Sequence, residues 1–200
     1  MYKRQIFFLQ VPFLLRPVLR WMIVCLGFCF LMLKWFFAEK KIRKSLPLAL
    51  ATHHPIVFLF QLYVLSFFGN PTQLPGQALQ FVFGTGLCAT AWELGRKMRG
   101  TKQETSYTTY TKIWGVRGAS AVMGAVVTAS LLLTYFPLSD VSGSDAARAA
   151  WLLPAAGWIA MMVQLVRFVR KPQKAPALLK TAEAYGLLTL LGMMLAAMFG

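Results

Sequence analysis

Apolar positions along this chain come in long blocks, separated by short polar segments. Each block is close to the roughly twenty residues with which an α-helix crosses a hydrocarbon core about 30 Å thick. The pattern predicts spans over about 18–37, 46–68, 76–98, 116–136, 151–169 and 178–199. Ile6 to Leu15 is too short to cross alone, and Arg16-Pro17 separates it from the first full span. The alternation of a barrel strand is absent. The expected fold is all-α: a polytopic membrane helix bundle of six spans in a single transmembrane domain.

Within the blocks, small residues recur at helical spacing. Gly84/Cys88 and Ala91/Gly95 lie four apart in the third block. Ser120, Gly124 and Thr128 form one ridge in the fourth, and Ala121, Ala125 and Ala129 another. Such ridges let helices approach closely. Pro47 falls in the first turn of the second block, where its missing N–H is tolerated. His53-His54-Pro55 lies deeper, where polar side chains need partners. Two readings stand: the imidazoles line a site, or they bond to neighbouring backbone at a proline-kinked turn. Trp35, Phe36 and Phe37 beside Lys34 have the look of an interfacial belt.

Composition supports the membrane class. The chain is 58% hydrophobic and 14% charged, against about a quarter charged in soluble domains, and its mean hydropathy is +0.58. A net charge of +15 would suggest nucleic acid in a soluble protein. Here the charge is partitioned. Segments 34–44, 96–117 and 167–180 hold sixteen of the twenty-one basic residues, whereas 69–75 and 137–150 together hold one, Arg148. Cytoplasmic loops of membrane proteins collect Lys and Arg. The expectation is an integral protein of a bacterial inner membrane with its three basic loops in the cytoplasm, and no nucleic-acid partner. Cys25, Cys29 and Cys88 lie inside apolar blocks without metal spacing, as packing residues do. Met1-Tyr2-Lys3-Arg4-Gln5 runs into the first apolar segment without a loop. It resembles translated adapter sequence, and the expectation from that resemblance is that residues 1–5 are non-native and that the gene extends upstream.

The densest polar segment runs from Trp92 to Gly118, with two of the six acidic residues and six of the basic ones. Arg96 and Lys97 follow Glu93 by three and four residues, on the same helix face. Local charge compensation explains that spacing, and so does membrane anchoring. A third reading is a metal–phosphate site. Mg²⁺ is held by one or two carboxylates plus substrate phosphate oxygens, and Arg and Lys neutralise the remaining phosphate charge.

The run Trp92–Gly115, WELGRKMRGTKQETSYTTYTKIWG, resembles the second motif region of the UbiA superfamily of intramembrane prenyltransferases. Lys34–Pro55 is similar to the loop and helix that precede it in divergent members. The resemblance implies a nine-helix fold in which the six spans are helices four to nine. It also implies Mg²⁺ as cofactor, with an isoprenyl diphosphate and a hydrophobic, often aromatic, acceptor as partners. Glu93 would stand at the first acidic position of the motif. Lys97 stands where a second acid is usual, and Glu104 is the other acid that could hold metal. Arg96, Lys97, Arg99 and Lys102 would contact diphosphate. Tyr107 and Tyr110 would line the substrate or sit as interfacial tyrosines, with His53 and His54 as further lining. The first acidic motif has no counterpart in the chain, whose first acid is Glu39. The fragment alone is therefore expected to be inactive.

Two other classes remain open. A transporter or permease fits the basic loops, although the spans lack acids deep in the membrane for ion coupling. A non-catalytic membrane protein fits them too. A CDP-alcohol phosphotransferase would need an acidic signature that is not present.

Overall fold

The computed structural model describes residues 17–73, 75–104, 108–141 and 144–199, with only the backbone of 136–141 and 146–147. Every regular element among them is helical. Two compact units divide the chain at Gly76.

In the first unit, α1 (Pro17–Leu33) packs on α4 (Pro55–Leu65), and the Cys25 thiol donates to the Leu59 carbonyl at 3.3 Å. Between them lie α2 (Glu39–Ile42) and α3 (Leu46–His53). Ser45 caps α3, with Pro47 in its first turn as expected. Trp35, Phe36 and Phe37 follow α1 in a single tight turn, with φ of 49°, 49° and 57°. Side chains of L-residues rarely adopt that left-handed region, and bulky ones least of all. Packing holds the turn: Phe36 meets Phe28 edge-on, and the His53 ring lies across both Trp35 and Phe36.

The second unit is built from α5 (Gly76–Arg96), α6 (Tyr110–Val141), α7 (Asp145–Ala149), α8 (Leu152–Arg170) and α9 (Leu178–Phe199). Small residues set its contacts. Gly84 of α5 lies against Thr134 of α6, and the Ser130 hydroxyl donates to the Gly84 carbonyl at 2.7 Å. Gly124 faces Met162 and Leu165 of α8, and the Trp158 indole donates to Thr128 at 3.0 Å. The Ser120–Gly124–Thr128 ridge is thus an inward one, whereas Ala121 and Ala125 are exposed. Gly157 of α8 meets Tyr185 of α9, whose hydroxyl donates to the Val127 carbonyl at 3.2 Å. Met123, Val127, Met161, Phe168 and Tyr185 form the fully buried centre.

Outward faces are apolar. Leu152, Ile159, Leu187, Leu190 and Met194 are all more than half exposed, a pattern that water disfavours and lipid accepts. Among the described residues, four stretches are long and apolar enough to cross a membrane: Leu46–Leu65, Tyr110–Tyr135, Leu152–Arg170 and Leu178–Phe199. Helix α1 covers the first expected span but has 17 residues. Helix α5 covers the third with 21 residues, and Gln77, Gln80 and Glu93 make it less apolar. Both ends of the fourth span differ from expectation. Helix α6 starts at Tyr110, not 116, and passes through a kink at Gly115 (φ 68°, ψ 168°). Glycine permits that backbone without a Cβ penalty. The same helix continues through Pro137 to Val141, where a loop was expected.

Candidate functional site

Helix α5 ends where Gly95 passes the start of α9. A Cβ there would lie 3.3 Å from the Leu178 carbonyl oxygen. Close by, Glu93 sits in the last turn of α5 beside its two cationic partners, Arg96 at the helix end and Lys97 just past it. Arg96 grips its Oε2 from Nε (3.0 Å) and Nη2 (2.8 Å), and Lys97 Nζ lies 2.7 Å from Oε1. Glu93 and Lys97 are each about one-sixth exposed. The pair is therefore less screened than a surface ion pair. Arg96 also stacks over the Trp92 ring, whose indole donates to Glu183 at 3.2 Å.

The chain then leaves the helix and closes on itself. The Tyr110 amide donates to the Lys97 carbonyl at 3.1 Å, and the Arg99 amide to the Thr111 hydroxyl at 3.1 Å. Glu104 is the hub of this closure. It accepts from Thr109 Oγ1 (2.7 Å) and from Thr111 Oγ1 (2.6 Å). Thr109 in turn accepts from the Lys112 amide at 3.2 Å, as an N-cap residue does. Two relays of backbone N–H, hydroxyl and carboxylate thus converge on one side chain. Among the described residues, Glu104 makes no ion pair. Replacing Thr109 with Val removes both the cap and one relay. It is expected to lower stability by about 1 kcal/mol, seen as an earlier thermal melt in detergent, and Thr109→Ser is expected to melt as wild type.

The loop does not hang free. Thr101 and Lys102 donate their amides to the carbonyls of Pro172 (2.8 Å) and Gln173 (3.0 Å). The Gln103 side-chain oxygen accepts from Gly100 (3.2 Å) and Ala175 (2.9 Å). Gly100 is buried against the Gln173–Ala175 backbone. The α5–α6 loop and the α8–α9 loop therefore form one platform, which places two of the three basic loops on the same end of this unit. Beside it opens a cavity of about 850 Å³ lined by Arg167, Arg170, Lys171, Lys174, Gln173 and residues 175–177.

The expected site residues divide as follows. Glu93, Arg96 and Lys97 are brought together in direct contact. Arg99 and Lys102 are exposed on the loop, and Glu104 is drawn to its threonines. Tyr110 is fully buried and stacks on Trp114 with ring centroids 5.1 Å apart. Tyr107 lies outside the described residues. His53 and His54 belong to the first unit. His53 Nδ1 is 3.1 Å from the Ala49 carbonyl oxygen, which an Nδ1–H donor satisfies, and His54 packs on Phe58. No group of three or more His, Cys, Asp or Glu side chains suited to a metal occurs among the described residues. Arg167, Arg170, Lys171 and Lys174 were legible only as a basic loop; no local spacing marks them as the lining of a cavity.

No family model, curated protein or solved structure matches the chain.

Proposed function

We propose that this membrane protein binds an isoprenyl diphosphate and acts as a UbiA-like prenyltransferase, passing the isoprenyl group to a hydrophobic acceptor. The supporting observation is the Glu93–Arg96–Lys97 cluster at the end of α5, beside which the Tyr110 amide is bonded to the Lys97 carbonyl. A carboxylate and two cations at the end of a helix suit a ligand with a charged head and an apolar tail. The head meets Arg96, Lys97 and the exposed Arg99 and Lys102. The tail lies along the apolar helices. In this reading α1 and α5 also cross the membrane, which completes six spans, and the basic platform faces the cytoplasm.

The donor set fits Mg²⁺ only together with phosphate. Glu93 supplies one carboxylate, and Mg²⁺ needs no more than one or two when phosphates and water fill the other positions. Both Glu93 oxygens are engaged by Arg96 and Lys97. With a diphosphate bound, Arg96 and Lys97 would pair with its oxygens, and Glu93 would be the residue that holds the metal. Bound there, Mg²⁺ would neutralise charge on the departing diphosphate. Arg96 and Lys97 share that work, because charge-assisted bonds to phosphate are about twice as strong as neutral ones.

Glu93→Gln tests this through the sign of its effect. As a metal ligand, Glu93 supports Mg²⁺-dependent binding of farnesyl diphosphate. The variant should lose about tenfold in affinity with Mg²⁺, the scale of one charged hydrogen-bonding group, and should bind no more weakly than wild type in EDTA. If Glu93 only balances charge, the variant frees two cations and binds more tightly in both conditions. That result would overturn the metal role and favour a non-catalytic membrane protein.

A further inference from the structure

We infer that the cavity between α8 and α9 is a built binding site for a multiply charged phosphate group, separate from Glu93. Four cationic side chains line it (Arg167, Arg170, Lys171 and Lys174), and no acidic side chain is among its lining residues. Arg167 and Arg170 project from the last turn of α8. Residues 175–177 complete the wall and lead into the first turn of α9, where backbone N–H groups and the helix dipole favour an anion.

Basic residues at a membrane surface ordinarily need no shape, since net charge alone retains them. Here shape is imposed. Three hydrogen bonds from another loop fix the cavity wall: Thr101 N–H to the Pro172 carbonyl, Lys102 N–H to the Gln173 carbonyl and Ala175 N–H to Gln103 Oε1. Gly100 is packed against the same backbone. Those bonds fix the backbone that carries the loop lysines beside the end of α8, and the four exposed cationic side chains border an open concavity of about 850 Å³, ample for a diphosphate or a phospholipid headgroup. Arg presents forked donors that match phosphate oxygens, and Lys adds point charge. The shared chemistry is a phosphate-bearing polyanion. Its source is either a free diphosphate or the headgroup of an anionic phospholipid.

The inference does not rest on the prenyltransferase reading, and its test avoids Glu93. The full chain in neutral detergent is titrated with inorganic pyrophosphate and, separately, with cardiolipin, after circular dichroism confirms the helicity of each variant. Binding of pyrophosphate identifies a free-phosphate site, and binding of cardiolipin alone identifies a headgroup site; either supports the inference. Arg170→Gln with Lys174→Gln should weaken that binding by about tenfold or more. Lys40→Gln with Lys41→Gln removes the same charge from another exposed basic segment and should change it by less than about twofold. Gln103→Leu leaves the charge untouched but removes the Ala175 bond, one of the three that fix the wall, and should weaken binding by about threefold or more, the value of one lost hydrogen bond. Failure of both probes to bind overturns the inference. So does a Gln103→Leu variant that binds as wild type, or two charge-removing pairs that weaken binding equally.

Discussion

Gly100→Ala is expected to detach the α5–α6 loop from the α8–α9 loop. A Cβ on Gly100 would lie 2.5 Å from the Lys174 Cα, 2.6 Å from the Ala175 nitrogen and 2.6 Å from the Gln173 oxygen. All three are backbone atoms, so no side chain can swing aside. Overpacking of this kind costs about 1–3 kcal/mol, and relief requires the two loops to part. Parting them breaks the bonds from Thr101, Lys102 and Ala175 together. The variant should melt earlier and should be cut faster by trypsin after Lys102 and Lys174. A melt and a digestion rate equal to wild type would mean that the loops do not touch.

Gly84→Ala is expected to separate α5 from α6. Its Cβ would lie 2.6 Å from Thr134 Cγ2 and 3.1 Å from the Thr134 nitrogen. The Ser130 hydroxyl bonds to the Gly84 carbonyl across the same contact, so spreading the helices also costs a buried hydrogen bond. Together these amount to about 2–4 kcal/mol. Thr134→Ala removes the nearer obstacle. Among the described residues its hydroxyl bonds within its own helix, to the Ser130 and Leu131 carbonyls. Combined with Gly84→Ala it should restore part of the lost stability, a coupling that a double-mutant cycle on thermal unfolding measures. Purely additive effects would contradict the packing.

Helix positions were legible because lipid imposes a strong length rule on apolar blocks. The Gly84 and Gly124 contacts were legible too, since small residues at spacing four mark a close approach. Two equivalent-looking ridges on α6 were not distinguishable, because periodicity says that a face is small without saying which neighbour it meets. Pro137 suggested a loop, yet the helix runs on through it, as neighbouring packing allows in membrane helices. Gly115 suggested no kink because glycine permits many conformations without dictating one.

At the candidate site, local spacing carried the Glu93, Arg96 and Lys97 contacts, which lie within about one turn of helix. It could not carry the platform. Gln103 and Ala175 lie 72 residues apart, and only the tertiary fold brings them to one hydrogen bond. Glu104 was named by the resemblance as the other acid that could hold metal, and local spacing did not mark its hydrogen bonds from the hydroxyls of Thr109 and Thr111. Three aromatic residues with left-handed φ after α1 have no sequence signature at all.

The central proposal is that this chain recognises an isoprenyl diphosphate through phosphate and metal at the α5 terminus. The most direct measurement is equilibrium binding of farnesyl diphosphate to the wild-type chain in lipid nanodiscs, with Mg²⁺ and with EDTA, beside farnesol as the ligand without phosphate. The prediction is saturable diphosphate binding that Mg²⁺ tightens by about tenfold or more, with farnesol failing to compete. Equal affinity for farnesol and farnesyl diphosphate, or diphosphate binding indifferent to Mg²⁺, would contradict it.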